Sequence, residues 1–199
     1  MFHEKHRDNS VKTDRTAAQD ALARFESLLA DRAVRLGLIS EGDRDRIRTR
    51  HIDDSLRAAA LVKPEDRSAY DLGSGAGLPG IVVAIAAPHL HVLLVETRRK
   101  AVAFLEFAVQ QLELQNVRVV RSRIEDLGEP ADICFARALA PVEDAWRLAT
   151  PLLVPGGRLV YFGGTNLRAT RTLTGARSVR TVKDLRLESS GPLVIISRE

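Results

Sequence analysis

The amino-acid sequence predicts an α/β fold: a mostly parallel sheet with a terminal antiparallel hairpin, preceded by an N-terminal helical extension. Three features point there. From residue 69 onward, short apolar runs alternate with stretches of helical period. The runs are near-continuously apolar, as strands covered on both faces are, and parallel strands need crossovers that bury each side. Near the C-terminal end two further runs flank Gly191-Pro192, which suits a hairpin better than a crossover.

Taken in order, residues 1–15 are polar and lack periodicity, so a mobile terminus outside the core is expected. Ala18, Ala21, Leu22, Phe25, Leu28, Leu29, Ala33 and Leu36 then recur at helical spacing, and Gly37 suits the helix end because it accepts positive φ. Ser40 is placed to cap a second helix through its hydroxyl. Ile47, Ile52, Leu56, Ala59 and Ala60 form the apolar stripe of that helix, and Pro64 closes it. Strands are predicted at 69–72, 91–96, 117–120, 133–136 and 158–162. Helices are predicted from near Pro79, over 98–113 and over 142–153. In 98–113, Val102, Leu105, Val109 and Leu112 share one face. Pro155-Gly156-Gly157 reads as a turn into the fifth strand, and 179–187 pairs with 193–196 in the hairpin. The expected division is a terminus over 1–15, a helical extension over 16–64 and an α/β domain over 65–199.

A chain of 199 residues suffices for one domain with a sizeable core. Its hydrophobic fraction of 45% and charged fraction of 28% exclude a disordered or fibrous class. No apolar run approaches the roughly 20 residues that span a bilayer. The start Met1-Phe2-His3-Glu4-Lys5-His6 lacks a secretory core, so a cytoplasmic protein without membrane contact is expected. The single cysteine, Cys134, fits a reducing compartment and a core position. His3, His6, His89 and His91 lack carboxylate or cysteine partners at ligand spacing, so no metal is expected. The net charge of +4 favours a polyanionic partner. Arg168, Arg171, Arg177, Arg180, Lys183 and Arg186, accompanied only by Asp184, are either a nucleic-acid contact or a solvated face.

The chemistry centres on Asp71-Leu72-Gly73-Ser74-Gly75-Ala76-Gly77-Leu78-Pro79-Gly80. Such a turn lies beyond the carboxyl end of the first strand, where open α/β sheets bind ligands. Glycines there let the main chain approach a ligand, and the following helix supplies N–H donors. Gly75 to Gly80 also satisfies the dinucleotide pattern Gly-x-Gly-x-x-Gly, and Glu96 could accept from the ribose of either NAD or S-adenosyl-L-methionine. Asp71 favours the second ligand, because a carboxylate suits a cationic methionine end and repels pyrophosphate. Ile124 can cover an adenine face with Glu125 reaching its amino edge, and Leu153-Val154-Pro155-Gly156-Gly157-Arg158-Leu159 is a turn typical of class I methyltransferases. An NAD-dependent oxidoreductase stays open on these residues alone.

Arg50-His51-Ile52-Asp53-Asp54-Ser55, the glycine turn with its Gly77-Leu78-Pro79-Gly80 continuation, Lys100 with Phe104-Leu105, Ser122-Arg123-Ile124-Glu125 and Ala136-Arg137-Ala138 stand in one order. In these motifs, over roughly residues 45–160, the chain resembles the RsmG (GidB) family of class I methyltransferases. The resemblance implies transfer of a methyl group from S-adenosyl-L-methionine to N7 of a guanine in 16S rRNA of the small ribosomal subunit. It implies cofactor contacts from Asp71, Gly73, Ser74, Gly75, Gly77, Leu78, Glu96, Ile124, Glu125 and Arg137. Arg137 is the candidate catalytic residue, orienting cofactor or RNA, with a salt bridge to Glu125 or Asp71 as its structural alternative. Arg50, His51 and Lys100 are the candidate substrate contacts, and His51 could equally cap and pack its helix. The chain departs from the family pattern at Leu36-Gly37-Leu38-Ile39-Ser40 and at Gly163-Gly164. A methyltransferase for another RNA or a small molecule, and an RNA-binding relative without activity, remain alternatives. Trp146, Phe104 and Phe107 sit at helical spacing and are expected in the core.

Overall fold

A computed structural model of the chain describes residues 3–165, 167, 173–183 and 190–199, with residues 3–14 through their backbone. Helix α1 (His3–Leu28) starts well before the apolar periodicity at Ala18, continues through a π turn (Leu29–Ala33) and ends at Gly37, whose φ is +67°. Leu22, Phe25, Leu29 and Ala33 are buried, as their spacing requires. A 3₁₀ helix (Glu41–Arg46), a π turn (Arg48–Ile52) and α2 (Asp53–Ala59) then follow almost end to end. Ser40 stands at the start of this run, but its hydroxyl makes no capping bond. The Asp43 N–H closes the turn instead, on the Ser40 carbonyl at 3.0 Å.

Strands β1 (Ser68–Leu72), β2 (His91–Glu96), β3 (Val117–Arg121), β4 (Ala131–Arg137), β5 (Leu153–Phe162), β6 (Ala176–Val182) and β7 (Leu193–Arg198) form one sheet of order β3-β2-β1-β4-β5-β7-β6. The first five are parallel, and β7 lies antiparallel between β5 and β6. Strand order reverses between β1 and β4, which opens a crevice at their carboxyl ends. Helices α3 (Gly80–Ala86), α4 (Arg99–Gln111) and α5 (Val142–Ala149) make crossovers, whereas β3 and β4 are joined through a single 3₁₀ turn (Ile124–Asp126).

The two faces are therefore covered unevenly. Phe25, Leu29, Ile52, Ile81 and Leu105 from α1 to α4 pack with Ile133 and Phe135 in one cluster. On the other face, α5 contributes Val142, Ala145 and Trp146 to a second cluster with Tyr70, Cys134 and Leu159. Trp146 is thus a core residue, its indole N–H donating to the Thr174 carbonyl at 2.9 Å. Cys134 is fully buried, and burial pushes its thiol pKa up, which leaves it inert. Among the described residues no helix is long and apolar enough to cross a membrane, and no group of three or more His, Cys, Asp or Glu could hold a metal ion.

Two further expectations change. Residues 153–157 belong to β5 itself: the register against β4 shifts between Ala131 and Ile133, and Gly156, at φ +78°, lies in the extra length. In the hairpin the first strand is 176–182, and residues 184–187 lie outside the described residues. Arg177, Arg180 and Lys183 are exposed on or beside the edge strand β6, where charge discourages pairing with other chains. Arg168, Arg171, Asp184 and Arg186 lie outside the described residues.

The helical lead-in is joined to the sheet by a buried ion pair. Arg158 of β5 donates from Nη1 to Asp66 Oδ1 at 2.9 Å and from Nη2 to the Leu61 carbonyl at 2.7 Å. Asp66, 3% exposed, also accepts from the Lys63 N–H at 2.7 Å. Removing one partner strands a buried charge, so Asp66→Ala is expected to cost about 3–5 kcal/mol in urea unfolding. A cost below about 1 kcal/mol, the level of an exposed pair, would contradict the clamp.

Candidate functional site

The glycine turn is shaped by what lies beneath it. The Gly73 and Ser74 N–H groups donate to the Val95 carbonyl at 2.9 and 3.0 Å, which pins the turn to the end of β2. Gly77 has φ +83°, and a Cβ there would lie 2.5 Å from Ile81 Cδ1, so a side chain is excluded twice over. Asp71, 1% exposed, accepts from the Gly80 N–H at 3.1 Å and so fixes the first turn of α3. A Cβ on Gly80 would stand 2.6 Å from Asp71 Oδ2. Burial pushes the Asp71 carboxyl up to about 7, against the lowering effect of the Gly80 bond.

Beyond the turn a cleft of about 730 Å³ opens. Of the predicted cofactor residues, Gly73, Glu96, Ile124 and Glu125 line it, together with Thr97, Arg98, Ala138, Leu139 and Leu148. Asp71, Ser74, Gly75, Gly77, Leu78 and Arg137 do not. Asp71, Ser74, Gly77 and Leu78 are buried and shape the turn from behind. Gly75 acts through its backbone: its N–H donates to Glu96 Oε2 at 3.0 Å. Burial alone would raise the Glu96 carboxyl, but hydrogen bonds from the Arg98 side chain and from the Arg98 and Thr97 N–H groups hold it below its ordinary value. Ile124 presents an apolar wall, and Glu125 is exposed beside Arg123 at 3.9 Å. Ala138 adopts φ +52°, an unusual conformation for a residue with a side chain, which bends the chain at the end of β4.

Arg137 ends β4 next to that bend, and its partners come from the helical lead-in. Its Nη2 donates to the Arg50 carbonyl at 3.2 Å and to His51 Nδ1 at 2.8 Å, and lies 3.8 Å from Asp54 Oδ2. The alternative partners Glu125 and Asp71 are thus replaced by Asp54. Asp54 in turn pairs with Arg57 at 2.7 Å, and Arg57 donates to the Gly191 carbonyl at 3.0 Å. Among the described residues Arg137 Nη1 is buried and has no hydrogen-bond partner. A guanidinium only donates, so His51 Nδ1 must accept and the ring proton sits on Nε2. Burial and the Arg137 charge lower His51 to about 4, so the imidazole is neutral at pH 7 and its 3.6 Å approach to Asp43 is not an ion pair. Arg50 meets Arg137 through its carbonyl, while its exposed side chain lies 3.4 Å from Asp43. Lys100 is exposed on α4 and is not part of this cluster.

Spacing could not reveal Asp54, Arg98 or Leu139. Asp54 lies inside a motif singled out for its neighbours, and Arg98 reads as an ordinary residue before a helix. Leu139 reaches the cleft because of the bend at Ala138; its Cδ1 would meet a Cβ on Gly73 at 2.8 Å.

Strand order, reversed parallel core, antiparallel β7 and a cleft headed by a glycine turn and an acidic strand end define a class I methyltransferase fold. Solved structures agree on the fold: a SAM-dependent methyltransferase from Aquifex aeolicus, 15% identical, aligns with a TM-score of 0.56 over 83% of this chain and 97% of its own. The mitomycin 7-O-methyltransferase MmcR, also 15% identical, gives 0.59 over 74% and 54%. The chain belongs to the GidB family, rRNA small subunit methyltransferase G, whose model matches residues 18–191. Proteins named ribosomal RNA small subunit methyltransferase G are 41% identical over 156 residues in Salinispora arenicola and 41% over 148 residues in Thermobifida fusca. These alignments cover 74% and 73% of this chain but 64% and 62% of the relatives, so the chain spans less than two thirds of their length.

The Arg137–His51 contact predicts a pH signature. His51 has a folded-state pKa near 4 against 6.5 when unfolded, so the unfolded chain binds the extra proton and stability falls as pH drops from 6.5 to 4. Asp71 works in the opposite sense: its raised pKa makes the folded chain bind the proton first, so stability falls as pH rises from 3.8 toward 7. His51→Asn keeps an acceptor near Nδ1 without a titrating ring, and Asp71→Asn removes the opposing group. Unfolding across pH 4–7 should show a shallower acid loss for the first variant relative to wild type and a steeper one for the second. Parallel profiles for all three proteins would refute both assignments.

Proposed function

We infer that the chain is an S-adenosyl-L-methionine-dependent methyltransferase that acts on N7 of a guanine in 16S rRNA of the small ribosomal subunit, in the cytoplasm. The observation that carries this reading is the Glu96 carboxylate at the mouth of a cleft walled by Ile124 and Leu139, in a chain of this family. The cleft residues fit the cofactor: Glu96 for ribose hydroxyls, Ile124 against adenine, Glu125 at the purine amino edge, and the backbone of Gly73 beside the methionine portion. The cofactor supplies a methyl group activated on a sulfonium centre.

This chain's own residues then align and desolvate. Guanine N7 already exposes a lone pair, so no general base is needed. The structure offers none at Arg137: His51 has its Nδ1 lone pair engaged and its Nε2 protonated. Arg137 stands behind the cleft lining in a cage of Arg50, His51 and Asp54, and we assign its buried, unpaired Nη1 as the donor that orients the reacting partners once the site is filled. Arg50 and Lys100 present exposed charge to RNA phosphate. A cation bound beyond the glycine turn draws Asp71 toward its charged form, because opposite charge lowers a carboxyl pKa.

Undermethylated small subunits incubated with labelled cofactor should yield 7-methylguanosine on nucleoside mass analysis. Glu96→Ala should weaken S-adenosylhomocysteine binding at least tenfold, about the worth of one charge-assisted hydrogen bond. Arg137→Ala should lower kcat about 100-fold with both substrates saturating, the scale of a misaligned reactant. Label appearing on another acceptor, or full turnover by the Arg137 variant, would overturn the corresponding assignment.

A further inference from the structure

The Glu96 carboxylate is crowded. Oε1 accepts from the Thr97 N–H at 2.8 Å, the Arg98 N–H at 3.0 Å and Arg98 Nε at 3.3 Å. Oε2 accepts from the Gly75 N–H at 3.0 Å and Arg98 Nη2 at 3.1 Å. A carboxylate offers about four lone-pair sites, so with these donors in place no room is left for a ribose hydroxyl. The backbone donors are fixed by the turns that carry them. The guanidinium is not: 61% of the Arg98 side chain is exposed, and it is the part that can yield.

Arg98 also belongs to a basic rim at the ends of β2 and β3. Arg99 and Lys100 follow it, both exposed and without an ion pair among the described residues. Arg121 is the register partner of Glu96 and donates from Nε to the Thr97 carbonyl at 3.1 Å. Arg123 lines the same cleft, 74% exposed, with only a loose approach to Glu125 at 3.9 Å. These five cations, of which Arg98 and Arg123 line the cleft, outnumber Glu96, Glu125 and Asp126 along this stretch, a balance suited to phosphate.

We propose that this rim receives RNA phosphates and that Arg98 is a latch shared between the rim and the ribose site, closed on Glu96 without RNA and drawn onto a phosphate when RNA binds. The proposal rests on the methyltransferase reading above and adds to it a coupling between the two ligands. Opening the latch leaves three backbone donors on the carboxylate and frees one acceptor position, on Oε2, so RNA raises cofactor affinity and, by linkage, cofactor raises RNA affinity by the same factor. Because the latch is an exposed, charge-assisted contact, the coupling weakens as salt screens it.

Calorimetric titration of S-adenosylhomocysteine into the full chain at low salt, with and without a hairpin of small-subunit rRNA, tests this. In wild type the hairpin should tighten S-adenosylhomocysteine binding about 5-fold or more, the usual lower range of such couplings. Arg98→Ala should bind it that much tighter without RNA and show no response to the hairpin. Arg98→Lys keeps the charge but lacks the two-nitrogen fork, and should fall between. A wild-type affinity unmoved by the hairpin, or an Arg98→Ala variant that binds no tighter than wild type, overturns the latch. Absence of S-adenosylhomocysteine binding in every variant would instead sink the methyltransferase reading, and the latch with it.

Discussion

One buried contact sets the geometry of the site: the Asp71 carboxylate accepting from the Gly80 N–H. A carboxylate at 1% exposure needs a donor, and a helix N-terminus is a source of unpaired ones. Meeting that need brings the start of α3 against β1, and only a residue without a side chain fits at Gly80. The turn between them is then forced to bend through Gly73, Gly75 and Gly77, all at positive φ, with its N–H groups directed to β2 and Glu96. The Glu96 carboxylate and the turn are thus a single hydrogen-bonded unit.

A second buried charge joins the other half of the site. Arg137 closes β4, and among the described residues its hydrogen-bond and ion-pair partners come from outside the sheet. They come from the run between Glu41 and Ala59, where the π turn supplies the Arg50 carbonyl and His51 Nδ1 and α2 supplies Asp54. Asp54 passes the connection on through Arg57 to Gly191, beside the start of β7. The helical lead-in, the switch point and the start of β7 are therefore linked through Arg137, Asp54 and Arg57.

Most of the fold was legible because it depends on period and punctuation. Near-continuous apolar runs marked the parallel strands, and Gly37 marked a helix end. What escaped depended on tertiary contact. Ser40 looks like a cap, but the Asp43 N–H found a backbone carbonyl. Pro155-Gly156-Gly157 looks like a turn, but pairing with β4 absorbs it as a bulge in β5. At the site, the spacing of Glu96, Ile124 and the glycines placed the cleft correctly. It could not show that Asp71 works from behind the turn, or that Asp54 answers Arg137 from 83 positions away in the sequence numbering. Such pairings are long-range electrostatics and leave no periodic trace.

The cage around Arg137 also bears on how this chain can change over evolutionary time. A buried cation with an orphaned nitrogen tolerates no loss of its remaining partners, so a substitution at Asp54 or His51 exposes the strand end to a penalty that only a matching change at 137 relieves. These positions are expected to drift together or not at all. In sequence comparisons the lead-in then carries a covarying signature of the site, although it contributes none of the residues that line the cleft.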